Sequence, residues 1–196
     1  MATVARIDAL VLAAGSGSRF GGGKLLADFH GAPLLHGALA AARAAAPGAI
    51  TVVTGADAQA VAACARAFDL DVRLIHAADH AEGMAASLRA GIASLSADAG
   101  AAFVFLGDMP RVPHAVLRPL AQAVADGAPA AAPIFEGRRG NPVVLSRALF
   151  EEVSRLTGDV GARPILQALG MRLARVEAPD DGVLFDVDER GDLAGR

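Results

Sequence analysis

The sequence predicts an α/β fold in which helices cover both faces of a mostly parallel central sheet, giving three layers. Three observations carry that expectation. Short apolar runs alternate with Ala- and Leu-rich helical segments along most of the chain. These runs are too continuously apolar for half-exposed strands, which marks them as buried on both faces. The first, Ile7 to Leu12, stops abruptly at a loop of glycines, serines and two cations, where ligands bind in parallel sheets.

In chain order, His30-Gly31-Ala32-Pro33 reads as a turn and Leu34 to Ala46 as a helix ended by Pro47-Gly48. Ala49 to Val53 is a second buried strand, and Asp57 is placed to cap a helix reaching Phe68. Asp71 to Ile75 is a third strand. The loop from His76 then leads through Gly83 into a small-residue helix whose first N–H groups stand ready for an anion. Ala101 to Leu106 is the most apolar strand and delivers Gly107-Asp108-Met109-Pro110 at its carboxyl end. Val112 to Val124 reads as a helix, and Pro129 to Phe135 as a strand interrupted by Pro133. A basic turn from Gly137 runs into a strand ending at Leu145, and Leu149 to Leu156 is helical. A second glycine-and-arginine loop, 157–164, precedes the helix Ile165 to Leu169. The last extended segments are Arg172 to Ala178 and Val183 to Leu193. On a strand, Asp186 and Asp188 would share one face.

At 196 residues the chain fits a single domain, 1–196, with room for a substantial core. A net charge of −3 offers no basic stripe to nucleic acid, so any phosphate bound belongs to a small molecule. The lone Cys64 cannot form an internal disulfide. Neither a secretory signal peptide nor a membrane span is predicted, which makes the cytoplasm the expected location.

The first loop carries the chemistry. Gly15 and Gly17 are read as permitting backbone conformations closed to other residues, so that main-chain N–H groups can approach a ligand and form an anion-binding concavity. Arg19 adds a planar fork for phosphate oxygens, and Lys24 a mobile point charge. Two familiar phosphate motifs fail here. The dinucleotide fingerprint needs glycine where Phe20 stands, and the Walker pattern needs glycine at Ser18 and Ser or Thr at Leu25. Across the sheet, the Asp108 carboxylate points toward the same cleft, where its economical role is to hold Mg²⁺, with Asp188 or Asp186 as a second ligand. Ser87 can donate to a phosphate or ribose. No serine or cysteine shows the local pattern of a covalent nucleophile.

The run from Leu12 to Lys24 resembles, without gaps, the L-A-A-G-x-G-x-R-x-G-x-x-K signature that opens nucleotidyltransferases of the MobA-like NTP-transferase family. Gly83 to Leu88 (G-M-A-A-S-L), Leu106 to Pro110 (L-G-D-M-P), Arg139 to Val143 (R-G-N-P-V) and Gly158 to Arg163 (G-D-V-G-A-R) resemble its molybdenum cofactor cytidylyltransferase branch. Ala14 and Met84 favour cytidine over guanosine within that resemblance. It departs at the closing D-x-D-T-P-x-D-L motif, where Glu189-Arg190-Gly191 replaces T-P-x, at His80, where an aromatic is common, and at Asn141, where histidine is frequent.

The resemblance implies a Rossmann-like, nucleotide-diphospho-sugar transferase-like fold and transfer of CMP from CTP to the phosphate of molybdopterin or molybdenum cofactor. It also implies release of pyrophosphate, Mg²⁺ as the cofactor, and a target molybdoenzyme as a further partner. It implies the site as well. Leu12, Ala13, Ala14, Gly15, Gly17, Thr54, Asp79, Gly83 and Ser87 would surround the nucleotide, with Arg19 and Lys24 on the triphosphate. Asp108, with Asp188 or Asp186, would hold the metal, and Arg139, Asn141, Asp159 and Arg163 would face the acceptor. The competing readings are use of GTP, a sugar-phosphate acceptor, or a non-catalytic protein that handles molybdenum cofactor.

Overall fold

A computed structural model describes residues 6–45 and 48–194. The helix end expected at Ala46-Pro47 lies outside the described residues. Strand β1 (Arg6–Ala13) runs directly into the glycine loop. A small ribbon of β2 (Asp28–Phe29) and β3 (Ala32–Pro33) precedes helix α1 (Leu34–Ala45). Next come β4 (Ile50–Thr54), α2 (Ala58–Phe68), β5 (Arg73–His76), α3 (Met84–Ala93), β6 (Ala99–Leu106) and α4 (Leu117–Ala125). The remaining elements are β7 (Ala130–Phe135), β8 (Arg138–Arg139), β9 (Val143–Ser146), α5 (Phe150–Ser154), α6 (Arg163–Leu169) and β10 (Leu173–Glu177).

One eight-stranded sheet has the order β10-β7-β9-β6-β1-β4-β5, with β8 beside β7. Pairing is parallel between β1 and β4, β1 and β6, β4 and β5, and β7 and β10. Within this sheet, among the described residues, only β8 and β9 run antiparallel to their neighbours. The chain steps outward from β1 through β4 to β5, then returns to lay β6 on the other side of β1. That reversal opens a crevice beyond the carboxyl ends of β1 and β6, the usual ligand position in such sheets.

Alternation along the strands builds a core on each face. Ala9, Val11, Phe103 and Phe105 pack with α1, α2 and α4, whereas Leu10, Leu12, Ala102 and Val104 pack with α3, α5 and α6. The expected three layers are therefore present. Among the described residues, no helix is long and apolar enough to cross a membrane.

Three local expectations change. Pro133 sits within a continuous β7, because β9 pairs Ala130 and Ala131 and β8 pairs Ile134 and Phe135, so its missing N–H falls between the two partners. Asp57 makes no side-chain cap to α2; only its carbonyl accepts, from the Val61 N–H at 2.9 Å. The segment 183–193 is not a strand. It consists of two 3₁₀ turns, Asp181–Val183 and Arg190–Ala194, joined by irregular chain, so the shared-face argument for Asp186 and Asp188 does not apply.

Candidate active site

Strands β1 and β6 release their loops at one rim, because Leu12 pairs with Leu106 and the Gly107 N–H donates to the Leu12 carbonyl at 2.9 Å. In the loop after β1, Gly17 has a φ of 58° and its carbonyl accepts from the Phe20 and Gly22 N–H groups at 3.0 and 3.1 Å. Phe20 is buried and anchors this turn. The turn brings Lys24 back against Gly17, where an added Cβ would lie 3.0 Å from the Lys24 Cβ. Gly15 differs from the expectation: it is not among the glycines with positive φ, and an added Cβ would meet nothing within 4 Å. Its small size therefore leaves open space in the cleft rather than permitting a special backbone conformation.

The loop's two cations meet carboxylates from distant segments. Lys24 Nζ donates to Asp108 Oδ2 at 2.7 Å and lies 3.6 Å from Asp188 Oδ1, while Arg19 Nη1 donates to Asp188 Oδ2 at 3.2 Å. The Lys24 side chain is only 13% exposed, so this ammonium is substantially withdrawn from water. Asp186 keeps an exposed face, yet partial desolvation of its carboxyl, followed by the nearby charges of Asp108 and Asp188, pushes its pKa above the ordinary carboxylate value.

A cleft of about 680 Å³ opens over this cluster. Leu12, Ala14, Gly15, Gly83, Ser87, Asp108, Asp159, Asp186 and Asp188 line it, together with Ser16, His80, Glu82 and Met84. Other members of the expected nucleotide set are not on its wall: Gly17, Arg19 and Lys24 are absent from the lining, and the two cations reach it through their contacts with the lining carboxylates Asp108 and Asp188. Ala13 packs into the core on the far face of the sheet, and Thr54 is buried with its hydroxyl donating to the Ile75 carbonyl at 3.3 Å. Asp79 is absent from the lining and stands at the start of the 3₁₀ turn His80–Glu82.

The start of α3 also differs from expectation. The Met84 N–H donates to Asp159 Oδ1 at 3.0 Å and the Ala85 N–H to the Gly158 carbonyl at 3.1 Å, so these amides are already engaged. Gly83 allows this approach, since a Cβ there would lie 2.7 Å from the Gly158 carbonyl carbon.

Arg139, Asn141, Asp159 and Arg163, expected together from separate motifs, all line an adjoining cavity of about 190 Å³. It shares Leu12, Met84, Leu106 and Asp159 with the larger cleft. Partial burial, and then the neighbouring Arg163 charge, hold the Arg139 guanidinium pKa below its usual value.

The donor chemistry suits a hard divalent cation. Asp108 and Asp188 both reach a single cationic point, which the Lys24 ammonium takes here. Among the described residues, no group of three or more His, Cys, Asp or Glu side chains is arranged to hold a metal alone. A metal would need further oxygens, and magnesium commonly takes these from substrate phosphates and water.

His80, Glu82 and Ser16 join the cleft without having been selected as site residues. Proximity to the A-A-G and G-M motifs was the available signal, because a loop residue beside a motif shares its rim.

A doubly wound sheet whose switch-point crevice combines a glycine turn, two cations and facing carboxylates suits a phosphate-bearing ligand with a divalent metal, and a family match puts the chain in the nucleotidyltransferase class. Residues 9–176 match the MobA-like NTP transferase domain, and the chain belongs to that family. The nicotine blue oxidoreductase of Paenarthrobacter nicotinovorans is 30% identical over 190 residues, covering 93% of this chain and 92% of that protein. The bifunctional protein GlmU of Cereibacter sphaeroides is 40% identical over 109 residues, which span 54% of this chain but only 24% of GlmU.

Among solved structures, Rv0371c of Mycobacterium tuberculosis H37Rv has a TM-score of 0.85 at 28% identity, covering 98% of this chain and 97% of that one. A manganese complex of Rv0371c matches with a TM-score of 0.75 at 26% identity over 88% of each chain. A nucleotidyl transferase from Methanothermobacter, Mth528, has a TM-score of 0.80 at 27% identity, covering 96% of this chain and 94% of that one.

Proposed function

We propose that this chain transfers CMP from CTP to the terminal phosphate of molybdopterin or molybdenum cofactor and releases pyrophosphate. The observation that carries the reading is the convergence of Lys24, from the glycine loop, with Asp108, from the loop after β6, and Asp188, from the C-terminal segment, at one point under the cleft.

In this reading Leu12, Ala14 and Gly15 border the base and ribose, with Ser87 nearby. Arg19 and Lys24 exchange their carboxylate partners for the triphosphate. Asp108 and Asp188 would hold a divalent cation, magnesium in this reading, which would supply positive charge against the charge gathering on the departing pyrophosphate. Arg139 and Arg163 orient the acceptor phosphate from the adjoining cavity, with Asn141 beside them. An oxygen of that phosphate attacks the α-phosphorus in line, forming a new P–O bond as the α–β bridge breaks. The acceptor phosphate is largely ionised at neutral pH, so no strong general base is required. Rate comes from holding two anions in line and from positive charge placed where the leaving group develops its own.

The manganese complex of Rv0371c supports the use of a divalent metal. Turnover of CTP and GTP, each with molybdopterin and Mg²⁺ and followed by pyrophosphate release, tests the assignment. Faster turnover with CTP is expected. Preference for GTP would move the chain to guanylyl transfer, and no turnover of either would remove the reading.

A further inference from the structure

Because 183–193 is not a strand, no sheet ladder holds Asp188 at the point where Arg19 and Lys24 meet it. We propose that Asp192 is a positioning residue for Asp188, fixing the backbone turn that presents the Asp188 carboxylate to the metal. This rests on the reading of Asp188 as a metal-facing group.

One oxygen of Asp192, Oδ2, accepts from two successive backbone amides, the Asp188 N–H at 2.9 Å and the Glu189 N–H at 2.8 Å. On the other side of Asp188, Val187 is fully buried and its N–H donates to the Asp108 carbonyl at 3.1 Å. Asp188 is thus pinned from both directions, once to the loop that carries Asp108 and once to Asp192. Its backbone is set before any ligand arrives. The turn between them, Glu189-Arg190-Gly191, contains no proline to stiffen it. A side-chain carboxylate that collects two amides supplies the missing constraint. Arg190 extends the arrangement to the glycine loop, since its guanidinium lies 4.8 Å from the Phe20 ring centroid. Asp192 is not on the cleft wall, whereas Asp188 is, and the amides that Asp192 holds are those of Asp188 and Glu189. Groups of this kind, which orient a metal ligand without touching the metal, commonly change metal affinity tenfold or more when removed.

The test is Mn²⁺ binding to the full chain saturated with CTP, read by the electron paramagnetic resonance of free Mn²⁺, with thermal melting to confirm folding. Asp192→Ala is expected to weaken Mn²⁺ about tenfold or more. Asp192→Asn keeps an oxygen that can accept the same two amides, and is expected to stay within about threefold of the parent protein. Asp192→Glu, which displaces the acceptor by one methylene, is a second disruptive variant should the alanine protein not fold. Combining Asp192→Ala with Asp188→Ala is expected to weaken Mn²⁺ no further than Asp188→Ala alone. An unchanged affinity in both Asp192→Ala and Asp192→Glu, alongside a loss in Asp188→Ala, overturns the role of Asp192 alone. Losses that multiply in the double variant overturn it as well, as does Asp192→Asn being as weak as Asp192→Ala. An Asp188→Ala protein that binds Mn²⁺ normally overturns the reading of Asp188 itself.

Discussion

Replacing Lys24 with methionine keeps most of the buried stem and deletes the charge, so its cost to folding separates from its cost to chemistry. The ammonium contributes one short hydrogen bond, 2.7 Å to Asp108 Oδ2, and a looser contact, 3.6 Å to Asp188 Oδ1. A hydrogen bond between charged partners is worth about 1.5–3 kcal/mol net. Asp108 is 24% exposed and Asp188 50%, so water screens the pair and the low end applies, about 1–2 kcal/mol. For a chain of this size that lowers Tm by about 2–8 °C.

The effect on the proposed reaction is larger. Removing one preorganised group that stabilises transition-state charge commonly costs about 10²–10³ in kcat. Pyrophosphate release at saturating CTP, molybdopterin and Mg²⁺, measured beside a melting curve, reads both quantities. A K24M protein that melts about 2–8 °C below the parent and turns over two to three orders of magnitude more slowly is expected. Turnover within threefold of the parent would refute the placing of Lys24 on the triphosphate.

Three other perturbations have definite expected outcomes. Gly15→Ala should leave Tm within about 1 °C but weaken CTP, whereas Gly17→Ala should cost about 1–2 kcal/mol of stability, because φ is +58° and the new Cβ meets Lys24 at 3.0 Å. Melting curves and CTP titrations of the pair check this contrast. Asp159→Ala, which removes the acceptor for the Met84 N–H at the start of α3, should cost about 1 kcal/mol by chemical denaturation. Phe105→Ala, at a side chain 1% exposed in the core, should cost about 3–5 kcal/mol by the same measurement, with residual activity falling only as the folded fraction falls.

Continuous apolar runs and glycine stops were enough to read the buried strands at Ile7, Ala49 and Ala101 and the helices between them, because a strand buried on both faces leaves a pattern in residue type alone. The glycine loop and Asp108 were legible for the same reason: each follows directly from the end of such a strand. The C-terminal segment was not. Alternating Asp186-Val187-Asp188 suggests extended chain, yet Asp192 there collects two backbone amides, a local hydrogen-bonding choice that periodicity does not record. The start of α3 misled in a similar way. Gly83 and small residues do expose amides, but Asp159 and Gly158 arrive from 75 and 73 positions away to satisfy them. Thr54, at the end of β4, turns inward to the Ile75 carbonyl of the next strand, a partner chosen by sheet order rather than by the residues around it.

Calorimetric titration of CTP into the chain, with and without Mg²⁺, most directly tests whether the glycine turn and the facing carboxylates grip a metal-bound nucleoside triphosphate together. Binding that appears with Mg²⁺ and is lost on chelation, and that both Lys24→Met and Asp108→Asn weaken, is the expected result. CTP binding of equal strength without metal, or no binding under either condition, contradicts it.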